Sequence, residues 1–149
     1  MISRNRWIRL LPVLSLLLLV LAACGGASAP AAEAPAAPIP EIDLAGLPQT
    51  IDVSTAYELS SNPDVYMLDV REQEEFDEKH IPDINLLPMS TIQGRLDEIP
   101  TDKTVVVTCR SGNRSGQVTE FLRANGFDNV HNMSGGINEW ESAGYPVNR

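Results

Sequence analysis

The stretch Thr104-Val105-Val106-Val107-Thr108-Cys109-Arg110-Ser111-Gly112-Asn113-Arg114-Ser115 decides the fold class. Its β-branched start reads as a buried strand, and its polar, glycine-containing remainder reads as a tight loop. From Gly116 to Asn125, the spacing of Val118, Phe121 and Leu122 predicts a helix with one apolar face, ended by Gly126. Strand, loop and helix in that order make the repeating unit of an α/β fold with a parallel sheet. In such a sheet the strand's carboxyl end and the next helix's amino end meet at the ligand crevice, where unpaired N–H groups concentrate positive potential. Cys109 falls at that point.

Outward from this unit the chain alternates short apolar runs with acid-rich amphipathic segments, which supports the same class. Val65 to Val70 reads as a strand entered through the Asn62-Pro63-Asp64 turn. Gln73 to Lys79 reads as a short surface helix with Phe76 as its one large apolar contact. A further strand is expected over Ile84 to Leu87, and then a helix capped by Ser90 and running to about Ile99.

The Cys109 loop carries the chemistry. Arg110 and Arg114 flank Gly112, which permits a turn tight enough to wrap the loop around the sulfur with backbone N–H groups pointing inward as an anion nest. Such a nest lowers a thiol's pKa from about 8.5 towards roughly 5 to 7, and the thiolate is the nucleophile. The plainer reading of an isolated cysteine is a small buried hydrophobe. Arg114 is equally suited to pair with an acid, and Ser115 to cap the helix. Asp69 and Arg71 sit at the end of a predicted strand, placed either to orient this loop or to hold neighbouring loops together by a salt bridge. Two histidines and no second free cysteine make no convincing metal site, and His80 is open to reading as either a general base or a surface or turn histidine. Gly135-Gly136 is expected to open the last helix through a tight turn, and Trp140 to pack that helix on the sheet.

Composition narrows the classes of function. The 149 residues are 43% hydrophobic and 21% charged, with a net charge of −9, which suits one compact domain. No acid precedes Glu33, and Arg4, Arg6 and Arg9 open the chain, so from Cys24 onward 8 basic residues face 20 acidic ones, a balance of −12. A body that acidic repels phosphate backbones, and at 5% aromatic it lacks stacking platforms, so nucleic-acid binding is excluded. Residues 1–23 read as an export signal, with a cationic start and an apolar run of 14 residues from Leu10 to Ala23. That run is shorter than the roughly 20 residues needed to span a bilayer core. Its ending, Leu21-Ala22-Ala23-Cys24-Gly25, resembles the bacterial lipoprotein box, which implies lipid on the Cys24 sulfur, cleavage before it, and a domain held on the outer face of a bacterial membrane. Residues 24–41 then form an Ala/Pro-rich tether, and residues 42–149 the globular domain.

Four segments together resemble the rhodanese (sulfurtransferase) family: Leu68-Asp69-Val70-Arg71-Glu72 with Glu75-Phe76; His80-Ile81-Pro82; the Cys109 to Ser115 loop; and Gly135-Gly136-Ile137-Asn138-Glu139-Trp140 leading into Ala143-Gly144-Tyr145-Pro146-Val147. The resemblance implies a five-stranded parallel sheet with helices on both faces. It implies Cys109 as the carrier of a persulfide, with no other cofactor, and Arg110, Ser111, Gly112, Asn113, Arg114 and Ser115 as the anion cradle. The implied partners are a small sulfur-containing anion or persulfide as donor and a thiol or cyanide as acceptor. Asp83-Ile84-Asn85 departs from the family pattern after the proline. Two alternatives stay open: a non-enzymatic sulfur-carrying or protein-binding module, and a phosphatase or arsenate reductase. The latter's usual Cys-x5-Arg loop needs arginine at the position that Ser115 holds.

Overall fold

The computed structural model describes residues 42–149. The export signal, Cys24 and all of the tether expected from the sequence lie outside the described residues. Five strands, β1 (Thr50–Ile51), β2 (Val65–Asp69), β3 (Asn85–Leu86), β4 (Thr104–Thr108) and β5 (Val130–Met133), form one sheet in the order β1-β5-β4-β2-β3. Every pairing is parallel, with Val65 opposite Thr104 and Asp69 opposite Thr108 at the centre, and Val105 opposite Val130 on the other side of β4.

Alternation along the central strands sends side chains to two separate cores. Met67 and Val106 face one side, where they pack with Val53, Ala56 and Leu59 of α1 (Val53–Leu59) and with Ile137 and Trp140 of α4 (Gly136–Ser142). Leu68, Val105 and Val107 face the other, against Val118 and Leu122 of α3 (Asn113–Ala124). Phe76 of α2 (Gln73–Glu78) packs against the first core. Helices therefore cover both faces, so β4 is buried on each side, as its Thr-Val-Val-Val-Thr run requires.

Local chemistry sets the element ends. Asp52 caps α1 by accepting the Thr55 N–H at 2.8 Å. Glu72 and Glu75 close a capping box at the start of α2. The expected helix from Ser90 to Ile99 does not form: two single 3-10 turns, Ile92–Gly94 and Leu96–Glu98, replace it. Gly94 weakens a helix interior, and buried Ile92 and Ile99 hold the segment against the second core through two short turns instead. Ser90 caps nothing and donates to Glu72 Oε2 at 2.9 Å. The strand expected over Ile84 to Leu87 shrinks to two residues, because Asp83 at φ 58° turns the chain immediately before it. α3 starts three residues earlier than its apolar spacing predicts, at Asn113 rather than Gly116. Arg114 and Ser115 thus belong to a helical first turn, not to a loop. Among the described residues no helix is long and apolar enough to cross a membrane.

Candidate active site

Cys109 is the first residue past β4, and its side chain is packed among the second core with 1% of the residue exposed. Gly112, at φ 90°, is the residue before α3 and reverses the chain so that its own N–H donates to Cys109 Sγ at 3.2 Å. Ser115, fully buried in the first turn of α3, donates its hydroxyl to the same sulfur at 3.5 Å.

The loop is held from outside by α4. Ile137 N–H donates to the Cys109 carbonyl at 2.9 Å, and Asn138 N–H to the Arg110 carbonyl at 3.1 Å. In a trans peptide the C=O and N–H point in opposite directions, so drawing these carbonyls towards α4 aims the following N–H groups inward. This contact requires glycine at 136, at φ 59°, because a Cβ there would lie 2.4 Å from the Cys109 carbonyl oxygen and 2.6 Å from Ser111 N.

Burial is the largest single influence on the Cys109 thiol and opposes its ionisation. Hydrogen bonds from the Ser115 hydroxyl and from the N–H groups of Ser115, Ser111 and Gly112 outweigh it, leaving the thiol below its ordinary pKa. The N-terminal end of a 12-residue helix adds a favourable field for an anion.

Both loop arginines converge on Glu75, the acid pairing open to Arg114 from the sequence. Arg114 makes a bidentate pair with it at 2.7 and 2.8 Å, and Arg110 approaches it at 3.3 Å with 64% of its side chain exposed. Hydrogen bonding from Arg114, first among the causes, brings the Glu75 carboxyl down to about 2. Arg114 in turn is held more firmly protonated, chiefly by Glu75 and to a lesser degree by the Cys109 sulfur. Beside the loop opens a cavity of about 280 Å³, lined by Arg71, Glu75, Glu78, Lys79, Arg110, Ile137 and Asn138.

Of the remaining expected residues, Ser111 contributes its N–H, whereas Asn113 is exposed at the start of α3. Asp69 and Arg71 form a buried ion pair at 2.7 Å; Arg71 also donates to the carbonyls of Glu75 and Lys79 at 2.9 and 2.7 Å. They make no hydrogen bond to the thiol; the pair braces α2, in keeping with the salt-bridge reading, and Arg71 lines the cavity beside the loop. His80 lies away from the sulfur: its ring stacks on Phe76 at 4.1 Å and its backbone pairs with Asn148 at 3.0 and 2.8 Å. Among the described residues no group of three or more His, Cys, Asp or Glu side chains is gathered to hold a metal. Trp140 is buried on the sheet and donates its indole N–H to the Pro146 carbonyl at 2.9 Å. Glu75 and Gly136, which shape the site most after Cys109, stand in the sequence only as parts of the resemblance and of a turn. An acid three residues after Glu72 signals a capping box, not a guanidinium clamp.

Sheet order, loop and thiol define an α/β domain with a buried free cysteine at the end of its central strand, its sulfur met by the Gly112 N–H and the Ser115 hydroxyl. Residues 52–143, more than half of the chain, match the family model described as Rhodanese-like domain, and the chain belongs to that family. A protein named Sulfurtransferase from Allochromatium vinosum is 40% identical over 94 residues, 63% of this chain and 88% of its own. Thiosulfate sulfurtransferase GlpE from Actinobacillus pleuropneumoniae is 32% identical over 92 residues, 62% of this chain and 85% of its own. The crystal structure of a rhodanese-related protein from Thermoplasma volcanium superposes with a TM-score of 0.63 at 33% identity, covering 68% of this chain and 98% of that one. Family and named relatives support sulfur transfer as the broad activity.

Proposed function

We propose that the protein transfers sulfane sulfur from thiosulfate or a persulfide to a thiol or cyanide through a persulfide on Cys109, while tethered outside a bacterial membrane by lipid on Cys24. The observation that carries the chemistry is the thiol itself: buried, yet met by the Gly112 N–H at 3.2 Å and the Ser115 hydroxyl at 3.5 Å. In the first half-reaction the Cys109 thiolate attacks the outer sulfur of thiosulfate, a new S–S bond forms, and the old one breaks with its electron pair leaving on sulfite. In the second, the acceptor attacks the terminal sulfur and the thiolate is restored, a two-step covalent cycle. The inward N–H groups stabilise negative charge as it passes between sulfurs.

Intact mass of the protein before and after thiosulfate, with and without reductant, tests this reading. A gain of one sulfur that reductant reverses and Cys109→Ser abolishes is expected. No adduct at any donor concentration overturns it, and leaves the phosphatase and bare-module alternatives. The anchor is tested separately: the chain should partition with membranes and Cys24→Ala should abolish lipid labelling, whereas a membrane-bound chain keeping residues 1–23 without lipid refutes it.

A further inference from the structure

Every cation around the cavity beside the loop has an acidic partner, but two of them share one. Arg71 is paired with Asp69 at 2.7 Å, Lys79 with Glu141, and Arg110 and Arg114 share Glu75. Of the residues lining the cavity, Arg71, Lys79 and Arg110 are cationic and Glu75 and Glu78 acidic, while Asp69 offsets Arg71 and Glu141 is shared by Lys79 and Arg149. Glu75 differs from the other three acids, because it alone binds the two arginines of the Cys109 loop. Its position is doubly fixed: one face of the carboxylate is taken by the Arg114 fork, and it closes the α2 capping box with the Glu72 N–H at 3.4 Å.

We propose that Glu75 tunes the charge of the donor the site prefers: by offsetting one of the two loop guanidiniums it leaves a single net positive charge, which the thiolate itself balances, so the site favours a doubly charged donor less than two unopposed arginines would and shifts its preference from thiosulfate towards singly charged persulfides and thiosulfonates. The proposal rests on sulfur transfer at Cys109 as given above. With a thiosulfonate the thiolate's electron pair forms the Cys109 S–S bond, the donor's own S–S bond breaks, and the pair leaves on the sulfinate. The persulfide and the sulfinate each carry one negative charge, matching the thiolate and the donor, and neither a proton nor an external oxidant is required. A persulfide anion reacts likewise, with a thiolate as the leaving group.

The test compares kcat/KM for thiosulfate and for benzenethiosulfonate, with cyanide as common acceptor, in the full chain and in Glu75→Gln. Glutamine keeps the capping box and still accepts from Arg114, but it removes the charge. The thiosulfate-to-thiosulfonate ratio should rise roughly three- to tenfold, the effect of one unit charge about 6 Å away in a partly solvated site. Adding Arg110→Gln should return the ratio towards its starting value, a rescue that general loosening of the loop would not produce. If Glu75→Gln does not fold, Arg110→Gln alone should lower the ratio, since Arg110 is exposed and its loss disturbs no packing. A ratio unmoved in the folded variant, with sulfur adducts forming from both donors, overturns the role of Glu75 and leaves sulfur transfer standing. No adduct from either donor overturns both.

Discussion

Gly136→Ala tests whether α4 holds the reactive loop in place. Alanine at φ 59° carries a left-handed backbone strain of about 1–2 kcal/mol. Its Cβ would also sit 2.4 Å from the Cys109 carbonyl oxygen, a backbone atom that no rotamer change moves aside. Relief requires α4 and the loop to part, which breaks the Ile137 and Asn138 hydrogen bonds to that loop, each worth about 1 kcal/mol. The sum is about 3–4 kcal/mol, or roughly 10–25 °C in Tm for a domain of this size. Gly144→Ala is the matched control: φ is 82°, but nothing lies within 4 Å of its Cβ, so only the strain of about 1–2 kcal/mol remains. Thermal unfolding by circular dichroism gives the stability difference. In a Cys24→Ala background, where Cys109 is the only thiol, the pH dependence of iodoacetamide alkylation gives the state of the loop. The alkylation midpoint should move up towards about 8.5 in Gly136→Ala only. Equal Tm losses in the two variants, with both midpoints unmoved, would refute the clamp.

Other variants probe the remaining parts of the site. Ser115→Ala removes the side-chain bond that most favours the thiolate, so alkylation of Cys109 below pH 7 should slow severalfold while Tm changes little. Asp69→Ala leaves Arg71 buried and unpaired, and urea unfolding should show a loss of about 3–5 kcal/mol. Glu75 has its pKa lowered from 4.5 to about 2, so it binds protons less readily folded than unfolded: its stabilisation is complete above about pH 4.5 and is lost as pH falls towards 2. Unfolding free energy measured across that window should fall less steeply in Glu75→Gln than in the parent chain, and equal slopes would contradict the pairing.

What the residues reveal on their own follows from how local the governing interaction is. β4 is legible because a Thr-Val-Val-Val-Thr run has one comfortable environment, the middle of a sheet covered on both faces. The Cys109 turn is legible because Gly112 and the helix beginning beside it need no distant partner. The stretch from Ser90 to Ile99 misleads because its cap residue and its apolar spacing are consistent with a helix. Its actual path is decided by where Ile92 and Ile99 meet the second core. The Asp69–Arg71 pair shows a further limit, since two charges at a strand's end are chemically apt for a site or a brace, and only their burial and the Arg71 bonds to α2 choose between them.

Glu75 is the residue that no local pattern announces, and the strand order explains why it matters. β4 lies beside β2 at the centre of the sheet, and the chain leaves these neighbours in opposite directions, from β2 to edge strand β3 and from β4 to β5. Their following helices go to opposite faces, α2 towards the core of Met67 and Val106 and α3 towards that of Leu68 and Val107. A crevice is left between the two carboxyl ends, the switch point at which open parallel sheets bind ligands. Across it the first turn of α2 faces the first turn of α3, which is how Glu75 meets Arg114 from 39 positions away. The thiolate's supports are therefore of two kinds. The N–H groups around the sulfur come from one continuous segment, held in place by the α4 bonds to its carbonyls. The charge balance beside it comes from two segments brought together by the order of the strands, so exchange of a single acid on α2 is expected to change the charge beside Cys109 while leaving the backbone N–H groups around its sulfur in place.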